Sequence, residues 1–252
     1  MLTLSTETQL FHLASKFLQL DLRGTIMNTR KNIFSKLILL LWLSMLMISI
    51  PTASQAESAT PKVYGKTIGN WGHAWWTWAL KFPEETNPIL TNGNVDCVAG
   101  QNGKVWFLAG TFGTNADRSC TVKQGKALFF PLFNSFPWTP EDCSDELNCR
   151  KTAAAFVEGF NAWTCDVDGL PCAFSSQIVR AQSDALPIVL EPGTIAVETF
   201  GYTPGKRAIA IADGFWVMLE PLPLGEHTVH FTATANGFNL DVTYHLTVAH
   251  IK

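Results

Sequence analysis

The sequence has few charged side chains and few tyrosines. Charged residues make up 15% of its 252 positions, against about 25% in an average globular domain. Apolar residues make up 47%, and nine Trp and 17 Phe stand against three Tyr, which is enough aromatic material for a sizeable core. This composition excludes a disordered chain, a collagen-like chain and a highly charged nucleic-acid-binding chain.

Common catalytic and cofactor-binding motifs are also missing. The sequence contains no G-x-S-x-G, no H-E-x-x-H, no phosphate-binding loop and no dinucleotide-binding fingerprint. It contains no C-x-x-C, which disfavours a metal–thiolate cluster. We therefore expect no cofactor and favour a non-enzymatic role, while the question of catalysis stays open.

The apolar run near the N-terminus is too short to cross a membrane. It spans 14 residues, 37–50, whereas a membrane-spanning helix needs about 20. Basic residues precede it, and Ala53 and Ala56 occupy the small-residue positions of a cleavage site. This pattern predicts a secretory signal peptide over residues 27–56 that is cut after Ala56, with a membrane anchor as the alternative interpretation.

The predicted mature chain, residues 57–252, is mildly acidic. It carries 13 basic and 19 acidic side chains, a net charge of −6, which argues against nucleic acid or an anionic membrane surface as partner. Because the signal has a natural start at Met27, we interpret residues 1–26 as an extension or a mis-assigned start. We expect a secreted or periplasmic protein with no stable membrane span after cleavage.

All six cysteines follow the predicted cleavage site. An even number of cysteines in an exported chain indicates disulfides. Six cysteines allow many connectivities, and the sequence does not select among them. The simplest hypothesis joins sequence neighbours in the pairs Cys97–Cys120, Cys143–Cys149 and Cys165–Cys172.

A Trp-rich helix is predicted over residues 70–82. Large apolar side chains recur on one face with the period of a helix: Trp71, Trp75, Trp78 and Phe82. The opposite, polar side carries His73, Thr77 and Lys81. Asn70 is the expected N-cap, and Pro83 ends the helix.

A second helix is predicted over residues 151–162, where Phe156, Phe160 and Trp163 share one face. The remaining chain reads as short strands with turn signals between them, which is typical of a sandwich or barrel. The strand candidates are 104–110, 118–122, 127–133, 177–182, 187–190, 207–212, 215–220, 227–233 and 240–248. We predict one mainly β domain: an antiparallel β-sandwich, immunoglobulin-like or jelly-roll-like, with one packed N-terminal helix and one inserted helix.

The register of the last hairpin follows from one turn signal. Asn236-Gly237 favours a tight two-residue turn. This turn places Val229 opposite Tyr244 on an apolar face. A slip of the pairing by one residue would bury the Thr, His and Asp side chains of the opposite face instead.

The polar face of the same hairpin carries His230, Asp241 and His245 as diagonal neighbours. Two imidazoles and a carboxylate form a candidate site for a divalent metal. The alternative interpretation, which we favour, is a solvated sheet face without a metal.

Aromatic side chains outside the helix stripe are candidate ligand contacts, because an exposed Trp stacks on sugar rings or anchors a partner. Trp76 lies beside the stripe, Trp138 lies beside a loop, and Trp216 follows Asp213-Gly214. We take Trp76, Trp138, Asp213 and Trp216 as ligand-binding candidates, with burial in the core as the alternative.

An acidic loop is a further candidate. It contains Glu141, Asp142, Asp145 and Glu146. A solvated loop is the favoured interpretation, and a Ca²⁺ site or paired catalytic carboxylates are the alternatives.

Four stretches of sequence carry a family signature. They are VYGKTIGNWGHAWWTWAL, VWFLAGTFG with RSCTVKQGKALFFPLFNS, DGFWVMLEPLPLGEHTVHF, and LDVTYHLTV. In this order, over most of residues 63–250, they resemble a family of uncharacterised exported bacterial proteins. The resemblance implies export and no particular activity. Cys97 and Cys120 match its pattern, which supports their pairing, whereas the other four cysteines depart from it.

These observations favour an exported, non-enzymatic binding module for a glycan or an envelope or extracellular protein. Two alternatives stay open. One is a structural or assembly component of the cell envelope. The other is a secreted hydrolase whose dispersed site draws on His73, His230, His245 and the acidic loop.

Overall fold

The computed structural model describes residues 60–173, 176–235 and 237–250, so the predicted signal peptide and the residues before it lie outside the described part. Helical segments in that part are α1 (Ile68–Ala79), α2 (Glu146–Glu158), α3 (Ile195–Glu198) and a 3-10 turn (Glu84–Thr86). None of the described helices combines the length and apolar character needed to cross a membrane.

Strands make up most of the regular structure, so the chain is mainly β as the sequence predicts. The strands are β1 (Val105–Phe107), β2 (Asn115–Lys123), β3 (Ala127–Ser135), β4 (Phe160–Val167), β5 (Leu170–Pro171), β6 (Ile178–Gln182), β7 (Leu186–Leu190), β8 (Gly205–Ala210), β9 (Asp213–Leu219), β10 (Gly225–Ala235) and β11 (Phe238–Ala249). A four-stranded sheet has the order β1-β3-β9-β6, a five-stranded sheet has the order β2-β11-β10-β4-β5, and β7 pairs with β8.

Both larger sheets are mixed, which corrects the predicted wholly antiparallel topology. Strand β1 runs parallel to β3, and β2 runs parallel to β11. A parallel pair needs a crossover connection, and the crossover from β1 to β3 is β2, a strand of the other sheet. The spacing of strand segments along the chain does not reveal this exchange between sheets.

The two larger sheets enclose one apolar core. Phe130 of β3 stacks on Phe231 of β10 with ring centroids 4.5 Å apart, and both side chains are fully buried. Along β2, buried and exposed residues alternate, as expected for a strand with one face on a core. The core therefore follows from the period-two pattern of the strands.

The predicted register of the last hairpin is confirmed. Val229 pairs with Tyr244, and both are buried. Gly237 has a φ of 79°, the left-handed conformation that a tight turn of this kind requires. Asn236, its predicted turn partner, lies outside the described residues.

A second core lies on the other face of the four-stranded sheet, beneath α1. Trp75 and Trp78 of the predicted stripe are buried, and their indole N–H groups donate to the carbonyls of Leu108 at 2.9 Å and Ala99 at 3.1 Å. His73, predicted on the polar side, is also buried. The assignment of His73 to the polar side was therefore wrong, whereas Thr77 and Lys81 are not buried. The helix is covered on more than its Trp face.

Both ends of α1 differ from the prediction. Its N-cap is Thr67, whose Oγ1 accepts a hydrogen bond from the backbone N–H of Asn70 at 3.2 Å. The Asn70 side chain binds Asp184 instead, and its Nδ2 donates to Asp184 Oδ2 at 2.6 Å. The helix ends at Ala79, before Pro83 is reached, and Leu80 is the C-cap.

The second helix begins and ends earlier than predicted. Asp145 is its N-cap and accepts a hydrogen bond from the backbone N–H of Asn148 at 2.9 Å. Phe160 and Trp163 belong to β4 rather than to a helical face. The helix ends at Glu158, with Gly159 as its C-cap. The predicted stripe of Phe156, Phe160 and Trp163 therefore spans the end of a helix and the strand that follows it.

The three disulfides join Cys97–Cys120, Cys143–Cys149 and Cys165–Cys172, the pairs of the sequence-neighbour hypothesis. No described cysteine is free. The third disulfide links β4 to the end of β5. The second links the acidic loop to α2.

Close contact between α1 and the sheet depends on the absence of a side chain at Gly72. A Cβ atom added there would lie 2.4 Å from Cζ2 of Trp216, whose ring is fully buried. We expect Gly72→Ala to destabilise the protein by about 1–3 kcal/mol through overpacking, even though Ala favours a helix. Urea unfolding measures this change.

Gly93→Ala is the matched control, since a Cβ at Gly93 would meet nothing within 4 Å. We expect its free energy of unfolding to stay within about 0.5 kcal/mol of the parent value. Equal stabilities for the two variants would contradict the close-contact interpretation.

A fully buried arginine connects the loops around the first core. Arg118 on β2 is 0% exposed. Its guanidinium donates to the carbonyls of Pro88 at 2.8 Å, Thr91 at 2.5 Å and Ala109 at 2.6 Å. It also donates to the hydroxyl of Tyr244 at 2.7 Å. Neutral oxygens therefore solvate the two terminal nitrogens of this cation in place of water, whereas its buried Nε has no partner among the described residues.

We expect Tyr244→Phe to lower the free energy of unfolding by about 1–3 kcal/mol, because it leaves buried donors without an acceptor. The hydroxyl accepts from Arg118 and from the backbone N–H of Ala109. Tyr64→Phe is the control, since that hydroxyl meets Glu220 at an exposed position. Urea unfolding of both variants checks this, and similar losses would argue against a special role for Tyr244.

Candidate functional site

Two adjoining cavities, of about 270 and 530 Å³, lie between α1, α2 and the segment after β3. Each volume is of the order found in small-molecule sites, about 300–1,000 Å³. The cavities share Trp76, Phe112, Ser135, Phe136 and Phe156 as lining residues. We call the two cavities together the aromatic cleft.

The floor of the aromatic cleft is a set of packed rings. The rings of Trp76 and Phe136 are stacked almost in parallel, at 4° and a centroid distance of 5.5 Å. Trp138 meets Phe136 edge-on at 5.9 Å and Tyr202 edge-on at 4.7 Å. These contacts fix the rings in place, so the apolar surface of the cleft exists before any ligand arrives.

The rim of the aromatic cleft carries three exposed phenylalanines. The exposed fractions are 46% for Phe112, 55% for Phe156 and 41% for Phe200. Phe112 and Phe200 meet edge-on with centroids 5.8 Å apart. Single exposed apolar residues are common on protein surfaces, but a cluster around a concave site indicates binding.

Elements distant in sequence position these rings. Trp76 projects from α1 and Phe156 from α2. Trp138 follows β3 and is tied to the end of β8 by a bridge with Ala210. The backbone N–H of Thr139 next to it donates to the carbonyl of Ile209 at 3.0 Å. The cleft is thus assembled from separate elements.

One carboxylate lies among the aromatic rings. Asp142 accepts hydrogen bonds from the backbone N–H of Trp138 at 3.1 Å and from the hydroxyl of Tyr202 at 3.3 Å. Burial, and then the charge of Asp142, raise the pKa of Tyr202, so this phenol stays protonated at neutral pH. Among the described residues that line the cleft, Asp142 is the one carboxylate, and none is a Lys, Arg or His.

Several polar atoms in the cleft wall lack a protein partner. Among the described residues, the structure has six buried side-chain nitrogen or oxygen atoms without a hydrogen bond. Half belong to cleft residues: Trp76 Nε1, Asn134 Oδ1 and Trp138 Nε1. Since proteins satisfy most buried polar atoms, the cleft wall departs from an ordinary core.

The structure separates the four ligand-binding candidates into two groups. Trp76 and Trp138 meet in the aromatic cleft. Trp216 is fully buried and donates from Nε1 to the carbonyl of Ala181 at 3.0 Å, so it is a core residue. Asp213 is 3% exposed and pairs with Arg180 at 3.2 Å, which indicates a structural ion pair.

The metal candidates share a face without forming a cluster. His230 lies between two carboxylates, with Nδ1 3.1 Å from Asp166 and Nε2 2.9 Å from Asp241. His245 pairs with Asp117 instead, at 3.2 Å. Within the described ranges, no group of three or more His, Cys, Asp or Glu side chains is arranged to hold a metal.

The other residues suggested for a dispersed hydrolase site are also spread over the fold. His73 is buried against Phe136, with ring centroids 5.2 Å apart. In the acidic loop, Asp145 caps α2, Glu146 pairs with Arg150, and Glu141 pairs with Arg207. The four acidic side chains thus have separate structural partners, and Asp142 alone lines the cleft.

Sequence reasoning missed Phe112, Phe200 and Tyr202 as site residues. Phe112 and Phe200 lie outside helices and strands, and each precedes a glycine. No helix or strand period assigns such loop residues to a buried or an exposed face, so no sequence signal singled them out.

Comparison of the chain with protein-family models, curated proteins and solved structures finds no match. The resemblance to a family of exported bacterial proteins therefore stays a prediction.

The paired His230 makes stability depend on pH. Partial burial opposes the charged imidazole, but the contacts with Asp241 and Asp166 outweigh it and raise the pKa of His230. The stabilisation is therefore complete below the ordinary histidine pKa of about 6.5 and is lost as the pH rises through the higher folded-state value.

We expect the stability difference between the parent protein and His230→Gln to be larger at pH of about 5.5 than at about 8.5. Urea unfolding at both values measures this difference. The double change Asp166→Asn and Asp241→Asn should remove the same pH dependence. A difference that grows with pH would show that the pKa is lowered instead.

Proposed function

We propose that this protein is an exported binding module that holds a small ligand with an apolar body in the aromatic cleft. The observation that carries the proposal is the ring of three exposed phenylalanines, Phe112, Phe156 and Phe200, over the stacked floor. Leaving these rings in water is unfavourable, at about 25 cal/mol per Å² of apolar surface. A ligand that covers them recovers this free energy.

A small apolar ligand fits the cleft better than a glycan does. Sugar recognition combines an exposed ring face with many hydrogen-bonding groups, and the described lining is mostly aromatic and aliphatic. Of the tryptophans suggested for sugar stacking, Trp138 and Trp216 are buried and Trp76 already stacks on Phe136. The concave shape also favours a small molecule over a flat protein interface.

The exported location is part of the proposal. Three disulfides support an oxidising compartment, in agreement with the predicted signal peptide over residues 27–56. The apolar core shared by the two larger sheets supports a β-sandwich as the fold type. The immunoglobulin-like or jelly-roll-like type stays a prediction.

Neither alternative function has a comparable observation in its favour. A hydrolase needs a nucleophile, or an activated water, beside a base. Among the described residues, the cleft lining holds one carboxylate and no His or Cys. An envelope assembly role would be favoured by a broad flat apolar surface, whereas the exposed phenylalanines surround a cavity.

Calorimetric titration with 4-phenylbutanol, a neutral probe with an aromatic body, tests the proposal. We expect saturable binding to the purified protein with its disulfides intact. Phe156→Ala removes a half-exposed rim side chain that stacks on Phe133 with centroids 5.1 Å apart. We expect it to weaken binding by about tenfold and to lower the free energy of unfolding by about 1 kcal/mol.

Leu147→Ala is the control, since Leu147 lies on the same helix, is 63% exposed and does not line the cleft. It should bind the probe like the parent protein. The proposal fails if the probe does not bind, or if the two variants bind it equally well.

A further inference from the structure

We infer that the aromatic cleft selects organic cations, whose charged group is held by Asp142 and the faces of the surrounding rings. This inference rests on the proposed function and adds the charge of the ligand to it. Three observations carry it: the single charge in the cleft, the partners of that charge, and the kind of surface around it.

The first observation is the charge of the lining. Asp142 lines the wider cavity, and no described Lys, Arg or His lines either cavity. A ligand carboxylate, sulfate or phosphate would therefore meet a negative charge and find no cation. A ligand ammonium group would meet the opposite charge at an exposed carboxylate, where an ion pair adds a modest attraction to the apolar contacts of the cleft.

The second observation is that Asp142 has no cationic partner among the described residues. Its two hydrogen bonds come from neutral donors, the Trp138 backbone and the Tyr202 hydroxyl. These bonds orient the carboxylate without neutralising it. Its charge is therefore available to a ligand.

Neighbouring charges are already compensated. Glu141, adjacent in sequence to Asp142, forms an ion pair with Arg207. On α2, Glu146 pairs with Arg150 at 2.8 Å. The uncompensated charge that faces the cleft is therefore that of Asp142.

The third observation is the aromatic surface beside this carboxylate. Trp138 and Tyr202 meet edge-on at 4.7 Å, and both lie within hydrogen-bonding reach of Asp142. The faces of aromatic rings are electrically negative and attract cations. Trp138 is buried, so the rings open to a ligand beside Asp142 are those of Tyr202 and Phe200. A carboxylate together with such rings favours an ammonium group joined to an apolar body.

Three probes with the same aromatic body test this inference: 4-phenylbutylamine, 4-phenylbutanol and 4-phenylbutyrate, which are a cation, a neutral molecule and an anion at neutral pH. We expect calorimetric titration at low salt to give the amine about two- to fivefold tighter binding than the alcohol, the gain of an exposed ion pair. The butyrate should bind more weakly than the alcohol. Because salt screens exposed charges, the advantage of the amine should shrink as salt is added.

Asp142→Asn keeps the size of the side chain and an oxygen acceptor while removing the charge. We expect the amine to bind this variant about as well as the alcohol does, so that the ratio of the two affinities falls to about one. Asp117→Asn is the control, since Asp117 lies on the other sheet, is 76% exposed in its side chain and pairs with His245. It should keep the preference for the amine.

Each outcome decides a different point. Binding of the alcohol without a preference for the amine would overturn the charge inference and leave the proposed function standing. A preference for the amine that persists in Asp142→Asn would also overturn it, because the charge would then act from elsewhere. Absence of binding by all three probes would refute the proposed function and this inference with it.

Discussion

The buried guanidinium of Arg118 is the constraint on which much of this structure depends. A cation without a carboxylate partner is stable inside a protein only if many oxygens surround it. Here those oxygens come from Pro88, Thr91, Ala109 and the hydroxyl of Tyr244. The loops that supply them must hold one conformation, since any displacement would leave the charge unsolvated.

This constraint reaches the aromatic cleft through the chain after Ala109. Gly110, Thr111 and Phe112 line the cleft and directly follow the carbonyl that Arg118 binds. On the opposite wall, the stacking of Trp76 on Phe136 depends on how closely α1 approaches the sheet, which Gly72 permits. Arg118 and Gly72 thus influence the shape of the aromatic cleft, although neither residue lines it.

Much of the local structure was predictable. The period-two pattern with one turn signal predicted the register of β10 and β11, because a slip would bury polar side chains. The pairing of neighbouring cysteines agrees with the disulfides in the structure. Helix ends were less predictable, because several polar residues compete for each N-cap. The first helix is capped by Thr67 rather than by Asn70. The second is capped by Asp145 and begins earlier than residue 151, where it was expected to start.

The amino-acid sequence by itself determined most of the strands, the apolar face of the last hairpin, and that Trp75 and Trp78 belong to a core. These properties depend on neighbours along the chain. The sequence did not determine β4, part of which was predicted as helix. Only the tertiary structure decided that β2 crosses to the second sheet and that Trp216 is buried whereas Phe112 is exposed. It also brought Trp76, Trp138 and Asp142 together around one cleft, because contacts between distant segments depend on how the sheets and helices pack, which no local pattern encodes.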